Sequence, residues 1–144
     1  MAITIHPKPG QILVCDFSQD FKEPEMVKSE RPVIVLTGAI KGRANLVTIA
    51  PLSTVEPNPV QPYHYRIPKQ SMPMVEIFQT NDSWLKGDMI YTVGFHRLNL
   101  IRLGKKGPDG KRLYFKNRLG IEQMKQIYQC ILHGLNLSKL ANYV

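Results

Sequence analysis

Short apolar runs, each bounded by proline or glycine, are the feature that most constrains how this chain can fold. Residues 11–17, 32–37 and 45–50 are rich in β-branched side chains, which favour strands. Proline lacks a backbone N–H donor, so we expect the third run to end at Pro51. The second and third runs flank a glycine-containing turn and should pair as a hairpin.

The middle of the chain predicts more strands. Five prolines lie between Glu56 and Pro73, which leaves room only for a short strand over residues 64–67. Residues 83–93 supply enough bulky side chains for one further strand. Residues 98–103 and 112–115 flank a Gly-Pro-Asp-Gly turn and predict a β-hairpin.

One helix is predicted near the end of the chain. Apolar residues follow helical spacing after Gly120, with Gln123 at the third helical position and Gly134 as the residue that stops the helix. The predicted fold class is therefore mainly β with a C-terminal α-helix, a small curled antiparallel sheet that the helix closes. A length of 144 residues predicts a single domain over residues 1–144.

The composition argues against several classes of protein. The longest stretch without Lys, Arg, Asp or Glu has thirteen residues, too few to cross a bilayer, and the N-terminus lacks the pattern of a secretory signal. We therefore expect a cytoplasmic protein with no membrane association. Cys15 and Cys130 are far apart and should be buried, reduced thiols. The histidines show no metal-ligand spacing and glycine-rich phosphate motifs are absent, so no metal or cofactor is expected.

The positive charge is concentrated in the last third of the chain. The formal net charge is +8, and residues 1–96 contain nine basic and nine acidic residues. After His96, ten basic residues face only Asp109 and Glu122. This excess favours an anionic partner, and nucleic acid fits best, although a solvated basic face is the simpler alternative. The candidate phosphate contacts are Lys105, Lys106, Lys111 and Arg112.

Arg31 and two hydroxyl residues are candidates for phosphate binding. Arg31 directly precedes the second strand beside a long loop, where its fixed donors suit a phosphate. The alternative is an exposed arginine paired with Glu30 or Glu25. Ser53 and Thr54 follow the third strand and can reach the same edge of the sheet, although alone they are more often part of a turn.

Three more residues are candidates further along the chain. Alternation within the run 83–93 would place Lys86 and Asp88 on one face of a strand, as an acid/base pair or as a cross-strand ion pair. His64 follows Tyr63 in the proline-rich region and could stack on or hydrogen-bond a base. The alternative for His64 is a solvated loop histidine.

Several dispersed segments resemble the MazF/PemK toxin family in order and spacing. They include Glu30-Arg31-Pro32 with the strand that follows, Pro51-Leu52-Ser53-Thr54, Lys86-Gly87-Asp88-Met89 and the closing helix, so the resemblance covers residues 9–135. It implies an SH3-like β-barrel that forms a homodimer and cleaves single-stranded RNA without a metal. It also implies a cognate antitoxin protein that holds the toxin inactive.

The resemblance carries over residue by residue. Arg31 matches the arginine of the family's Arg-Pro pair, and Ser53 falls where many members have a catalytic threonine, with Thr54 as the adjacent alternative. Lys86 and Asp88 resemble the arginine and aspartate of the Arg-Cys-Asp segment in the PemK branch. The implied catalytic residues are Arg31, Ser53, Lys86 and Asp88.

One family feature is missing. The loop histidine of the PemK branch has no counterpart, because the matching loop reads Lys-Glu-Pro-Glu-Met-Val-Lys and ends at Lys28. Lys28 joins Thr54, His64 and the four C-terminal cations as a candidate substrate-binding residue. Two other functions stay open: a non-enzymatic toxin on the same barrel that grips a protein, like the CcdB relatives, and a basic RNA-binding module without turnover.

Overall fold

Among residues 2–26 and 28–144, which the computed structural model describes, seven strands form one antiparallel sheet. The strands are β1 (Ile12–Asp16), β2 (Glu30–Val35), β3 (Leu46–Ser53), β4 (His64–Ile67), β5 (Ser83–Lys86), β6 (Tyr91–Gly94) and β7 (Leu98–Leu100). Their order is β4-β5-β3-β2-β1-β7, and β6 pairs with β3 beside β5. The predicted pairing of the second and third strands is confirmed.

The other elements lie outside this sheet. Strands β8 (Arg102–Lys106) and β9 (Arg112–Tyr114) form a separate hairpin, so the predicted run over residues 98–103 divides at Ile101. A short helix α1 (Glu76–Gln79) precedes β5, and the long helix α2 (Ile121–Gly134) follows the hairpin. Single-turn 3₁₀ segments occupy Lys69–Ser71 and Phe95–Arg97, and a longer one occupies Ser138–Tyr143. No helix in the described part of the chain is long and apolar enough to cross a membrane.

The third strand does not end at Pro51, and that prediction is wrong. β3 continues to Ser53, with Pro51 opposite Val33 of β2. The N–H of Val35 bonds to Gln11, the residue before β1, and not to β3, so the pair of Val35 with Ile49 has no hydrogen bonds between β2 and β3. Such pairs recur at every second residue, so the pair of Val33 with Pro51 also lacks hydrogen bonds. On its other side β3 pairs with β6 up to Ile49 and with β5 from Leu52. Pro51 therefore lies where no donor is needed.

The run over residues 83–93 is not one strand, and that prediction is also wrong. β5 and β6 both run antiparallel to β3, with Leu85 opposite Leu52 and Tyr91 opposite Ile49. Only two residues of β3 separate Ile49 from Leu52, whereas five residues separate Leu85 from Tyr91. Residues 87–90 therefore leave the sheet as a turn. We call residues 87–90 the bulge. It contains Asp88 and begins directly after Lys86.

Helix α2 begins as predicted but ends differently. The N–H of Gly120 donates to Oε1 of Gln123 at 3.3 Å, which confirms Gln123 at the third helical position. Gly134 is the last helical residue and not the stop, because the left-handed residue after the helix is Asn136, with φ 62°. The N–H groups of Asn136 and Leu137 bond to the carbonyls of His133 and Leu132, which closes the helix in a Schellman motif.

Apolar side chains cover both faces of the sheet. On one face Ile34, Ala50, Leu52 and Leu85 pack under α2. On the other face Leu13, Val33, Val35, Val47, Ile49 and Val93 form a second cluster. Cys15 and Cys130 are free and buried, as expected. The fold class, mainly β with a C-terminal helix on a curled antiparallel sheet, is confirmed.

Candidate active site

Arg31 and Ser53 are neighbours on adjacent strands. The register that puts Val33 opposite Pro51 continues outward to put Arg31 opposite Ser53. Nη1 of Arg31 donates to the carbonyl of Leu52 at 3.4 Å, while its Nε is buried and has no partner among the described residues. Within the described part of the chain Arg31 makes no ion pair, so the pairing with Glu30 or Glu25 is absent. The guanidinium of Arg31 is thus positioned by one hydrogen bond, and its other N–H groups have no partner among the described residues.

The two hydroxyls at the end of β3, on its last residue Ser53 and on the following Thr54, have different surroundings. Ser53 is 9% exposed, and its Oγ accepts a hydrogen bond from the N–H of Val55 at 3.1 Å. This is the turn motif that the sequence allowed, and it leaves the hydroxyl hydrogen of Ser53 free to donate. Thr54 is exposed within the same turn. Ser53 is thus the better placed of the two to act beside Arg31.

A row of polar side chains extends this pair across the sheet. Because neighbours across a strand pair point to the same side, and Ala50, Leu52 and Leu85 face α2, their alternates face away from it. On this second face Lys86 lies opposite His64, while Trp84, two residues before Lys86, lies opposite Ser53. We call this face, with Arg31, Ser53, Lys86 and His64 on four consecutive strands, the polar face.

Lys86 is a cation in a partly dry, positively charged setting. Burial lowers the pKa of Lys86 from its ordinary 10.5, the nearby guanidinium of Arg31 lowers it further, and Asp88 acts in the opposite direction. The exposed Lys28 adds a smaller effect of the same sign as Arg31. Two or three cations held together without a matching set of carboxylates create a site for a phosphate.

Asp88 reaches the polar face by a route that the sequence did not predict. It lies on the bulge and is exposed, so strand alternation does not relate it to Lys86. Its charge acts on the pKa values of Lys86, His64 and Tyr91, but within the described residues Asp88 forms no ion pair with Lys86. Asp88 therefore follows Lys86 through a turn and does not share a strand face with it, and the predicted ion pair between them is absent from the described residues.

Two glycines hold the bulge against α2. The N–H of Gly87 donates to the carbonyl of Tyr63 at 2.8 Å. A Cβ on Gly87 would lie 2.7 Å from that oxygen, and a Cβ on Gly134 would lie 2.4 Å from the carbonyl oxygen of Gly87. The bulge backbone thus rests directly on the helix backbone. The sequence predicted Gly134 as the residue that stops the helix. Its role is instead to let the bulge approach the helix backbone, which only the fold shows.

His64 is an ordered residue and not a solvated loop side chain. It begins β4 and is half-buried, and its Nδ1 accepts a hydrogen bond from the N–H of Gln61 at 3.0 Å. Burial lowers the pKa of His64, Asp88 raises it, and Lys86 lowers it. Its ring packs edge-on against Tyr63, with centroids 4.5 Å apart.

Tyr91 is a further residue of this region that sequence reasoning missed. Its hydroxyl donates to the carbonyl of Glu25, and burial raises the pKa of that hydroxyl. Its ring packs against Phe17 and Phe21, with centroids 5.4 and 5.5 Å apart. These contacts fold part of the loop between β1 and β2 back toward the polar face.

The C-terminal cations form a separate region. Lys105, Lys106, Lys111 and Arg112 are all exposed on the β8–β9 hairpin and its turn. This hairpin is a two-stranded sheet separate from the seven-stranded sheet that carries Arg31 and Lys86. They are therefore not brought into the polar face. Within residues 2–26 and 28–144, no three His, Cys, Asp or Glu side chains come together as metal ligands do.

Comparison with known proteins gives consistent matches along the chain. The family model for the PemK-like, MazF-like toxin of type II toxin-antitoxin systems matches residues 8–133. YifN, an uncharacterized protein of Escherichia coli (strain K12), is 30% identical over 99% of this chain and 100% of its own length. The crystal structure of MazF from Deinococcus radiodurans has a TM-score of 0.61 at 13% identity, covering 92% of this chain and 99% of that one. An endoribonuclease from Mycobacterial species, in complex with its cognate antitoxin, has a TM-score of 0.56 at 17% identity, covering 91% and 96%.

Proposed function

The chain belongs to the PemK-like, MazF-like toxin family of type II toxin-antitoxin systems, as its sequence resemblance predicted, and on this premise we propose that it is an endoribonuclease. Its substrate is single-stranded RNA, which it cuts selectively by sequence and without a metal ion. The observation that carries the proposal is the polar face, where Arg31 and Lys86 form a partly buried cationic pair beside Ser53. Such a pair suits a phosphate that gains negative charge.

RNA supplies its own nucleophile, so the protein has to align it and move protons. The 2′ oxygen attacks the neighbouring phosphorus while the bond from phosphorus to the 5′ oxygen breaks. Asp88 takes the proton of the 2′-hydroxyl, and Lys86 gives a proton to the departing 5′ oxygen. The products are a 2′,3′-cyclic phosphate and a 5′-hydroxyl, and proton exchange with water restores both side chains.

Each role follows from the setting of its side chain. The Nη groups of Arg31, of which only Nη1 bonds to a carbonyl among the described residues, can meet the developing charge on phosphate oxygens. Ser53 keeps a free hydroxyl hydrogen to orient one of those oxygens. The lowered pKa of Lys86 makes its ammonium a better proton donor than an ordinary lysine. The exposed Thr54, next to Ser53, and the exposed Lys28, whose charge acts on Lys86, bind the flanking RNA.

The hairpin cations bind RNA outside the reacting phosphate. All four are exposed on a projecting two-stranded element, where they can approach a phosphate backbone without desolvation. This same observation supports the second candidate, a basic RNA-binding module without turnover. The cationic pair on the polar face favours the nuclease, because backbone binding gives no reason to bury Lys86 next to Arg31.

Two protein partners complete the proposal. The single domain over residues 1–144 forms a homodimer, for which the exposed Leu135, Leu137 and Leu140 near the C-terminus provide apolar surface. A cognate antitoxin holds the dimer inactive by placing an acidic segment over the cations of the polar face. The Mycobacterial neighbour was solved with its own antitoxin, which supports a partner of this kind.

Incubation with mixed RNA in EDTA tests the enzyme against both alternatives. The nuclease yields discrete fragments with the metal removed. A module that only binds RNA gives a mobility shift without fragments, and a toxin that acts by gripping a protein gives neither. A Lys86→Met variant serves as the matched control, because it keeps the apolar stem of the side chain and removes the charge. It should bind RNA but cut it slowly.

A further inference from the structure

His64 completes the row of polar side chains on the four strands of the polar face. It lies directly opposite Lys86, which is on the same face of β5 as Trp84, the residue opposite Ser53. Neighbouring strands are about 4.8 Å apart, so β4 and β3 stand about 10 Å apart with β5 between them. A phosphate held at the end of the Lys86 side chain is within reach of the His64 ring on the neighbouring strand, whereas Ser53 lies on β3 opposite Trp84, two residues before Lys86.

The protonation of the His64 ring follows from a backbone hydrogen bond. The N–H of Gln61 points at Nδ1 at 3.0 Å, so Nδ1 is an acceptor and carries no hydrogen. In the neutral ring the hydrogen is then on Nε2. The charged and titratable groups that act on the ring are Asp88, which favours the protonated form, and Lys86, which opposes it together with burial. The neutral ring with Nε2–H is the resulting form.

We propose that His64 is a further catalytic residue, whose neutral ring donates a hydrogen bond from Nε2 to a non-bridging oxygen of the scissile phosphate and keeps its proton throughout. The proposal rests on the proposed ribonuclease function. His64 on β4 would donate from the side of the phosphate opposite Arg31 on β2, so that the negative charge of the phosphate is stabilised from both sides.

A proton-transfer role for His64 conflicts with the same geometry. To accept the 2′ proton, Nε2 would need a free lone pair, which moves the ring hydrogen to Nδ1. The hydrogen on Nδ1 would then face the N–H of Gln61, and two donors would meet with no acceptor between them. Asp88 and Lys86 move protons in this arrangement, while His64 acts as a fixed dipole.

The variants His64→Gln and His64→Ala separate the two roles. The Nε2 amide of glutamine can replace the donor of the ring but cannot take up a proton near neutral pH. We expect kcat of His64→Ala to fall by about 10²-fold, as for the loss of one preorganised donor. His64→Gln should stay within about tenfold of the wild type and keep the same pH profile. His96→Ala, at an exposed histidine outside the polar face, is the matched control.

Nitrogen-15 NMR of the intact protein supplies a readout that does not depend on activity. We expect the His64 signals to be those of a neutral ring that carries its hydrogen on Nε2. These signals should shift when a 2′-deoxy strand, which cannot be cut, is added. A ring protonated at Nδ1, or a His64→Gln variant as slow as His64→Ala, overturns the donor role while the nuclease function stands. Wild-type protein that cuts no RNA overturns the proposed function and this role with it.

Discussion

Replacing Gly134 with alanine tests whether the helix positions the catalytic bulge. The new Cβ would lie 2.4 Å from the carbonyl oxygen of Gly87 and 2.7 Å from Cα of Asp88, where ordinary contact begins at 3.4 Å. The atoms it meets are backbone, so the bulge has to move by about 1 Å. A displacement of that size at a catalytic group costs about 10²-fold in rate. We therefore expect kcat on RNA to fall by about 10²-fold.

Stability should respond in a way that identifies the cause. Alanine in a helix interior gains about 1 kcal/mol over glycine in an isolated helix, whereas overpacking against a fixed backbone costs about 1–3 kcal/mol. We expect a net loss in the free energy of unfolding, measured by urea denaturation, with α2 still formed by circular dichroism. Gly120→Ala is the control, because a Cβ there meets nothing within 4 Å. Wild-type kcat in Gly134→Ala would refute the view that the helix fixes Asp88.

Three further predictions concern charge on the two surfaces. Arg31→Ala should lower kcat by about 10²-fold or more in a gel-based cleavage assay, and Ser53→Ala by less, because a guanidinium stabilises charge better than a hydroxyl; equal losses would contradict this ranking. If Lys86 must be protonated to act, kcat should fall as pH rises through its pKa, which is lowered from the ordinary 10.5. Lys86→Arg should move that fall in kcat to higher pH, because arginine stays protonated. A pH profile that does not move would show that Lys86 does not cause the fall. Neutralising the hairpin cations should reduce the salt dependence of RNA binding by roughly one slope unit per lost phosphate contact, and an unchanged slope shows that the hairpin does not touch RNA. The neutralised residues are Lys105, Lys106, Lys111 and Arg112.

Local patterns were sufficient for the elements that hold the candidate site. The β-branched runs predicted β1 and β2, and helical spacing with Gln123 predicted the start of α2, because these signals depend on neighbours in the sequence. Arg31 and Ser53 could be named for the same reason, since both lie at strand ends. The prediction that they share one edge is consistent with the register of β2 and β3.

The errors have a common origin in contacts between distant segments. Pro51 is tolerated inside β3 because its other neighbour changes there from β6 to β5. Gly87 and Asp88 lie on a bulge whose backbone rests on α2, more than 40 residues further along the chain. His64 is ordered by Gln61 and by its pairing with Lys86. None of these contacts has a signature in the local sequence. Strand alternation was therefore the wrong reason to expect Asp88 near Lys86, because β5 ends at Lys86.

Attack by the 2′-hydroxyl is tested with an RNA that has one cleavage site and with its twin, which carries a single 2′-deoxy nucleotide on the 5′ side of the cut. We expect the protein in EDTA to cut the RNA to a 2′,3′-cyclic phosphate and a 5′-hydroxyl, identified by mass spectrometry. The twin should bind equally well and stay intact. Cleavage of the twin, or a 5′-phosphate on the product, would contradict attack by the 2′-hydroxyl on the polar face.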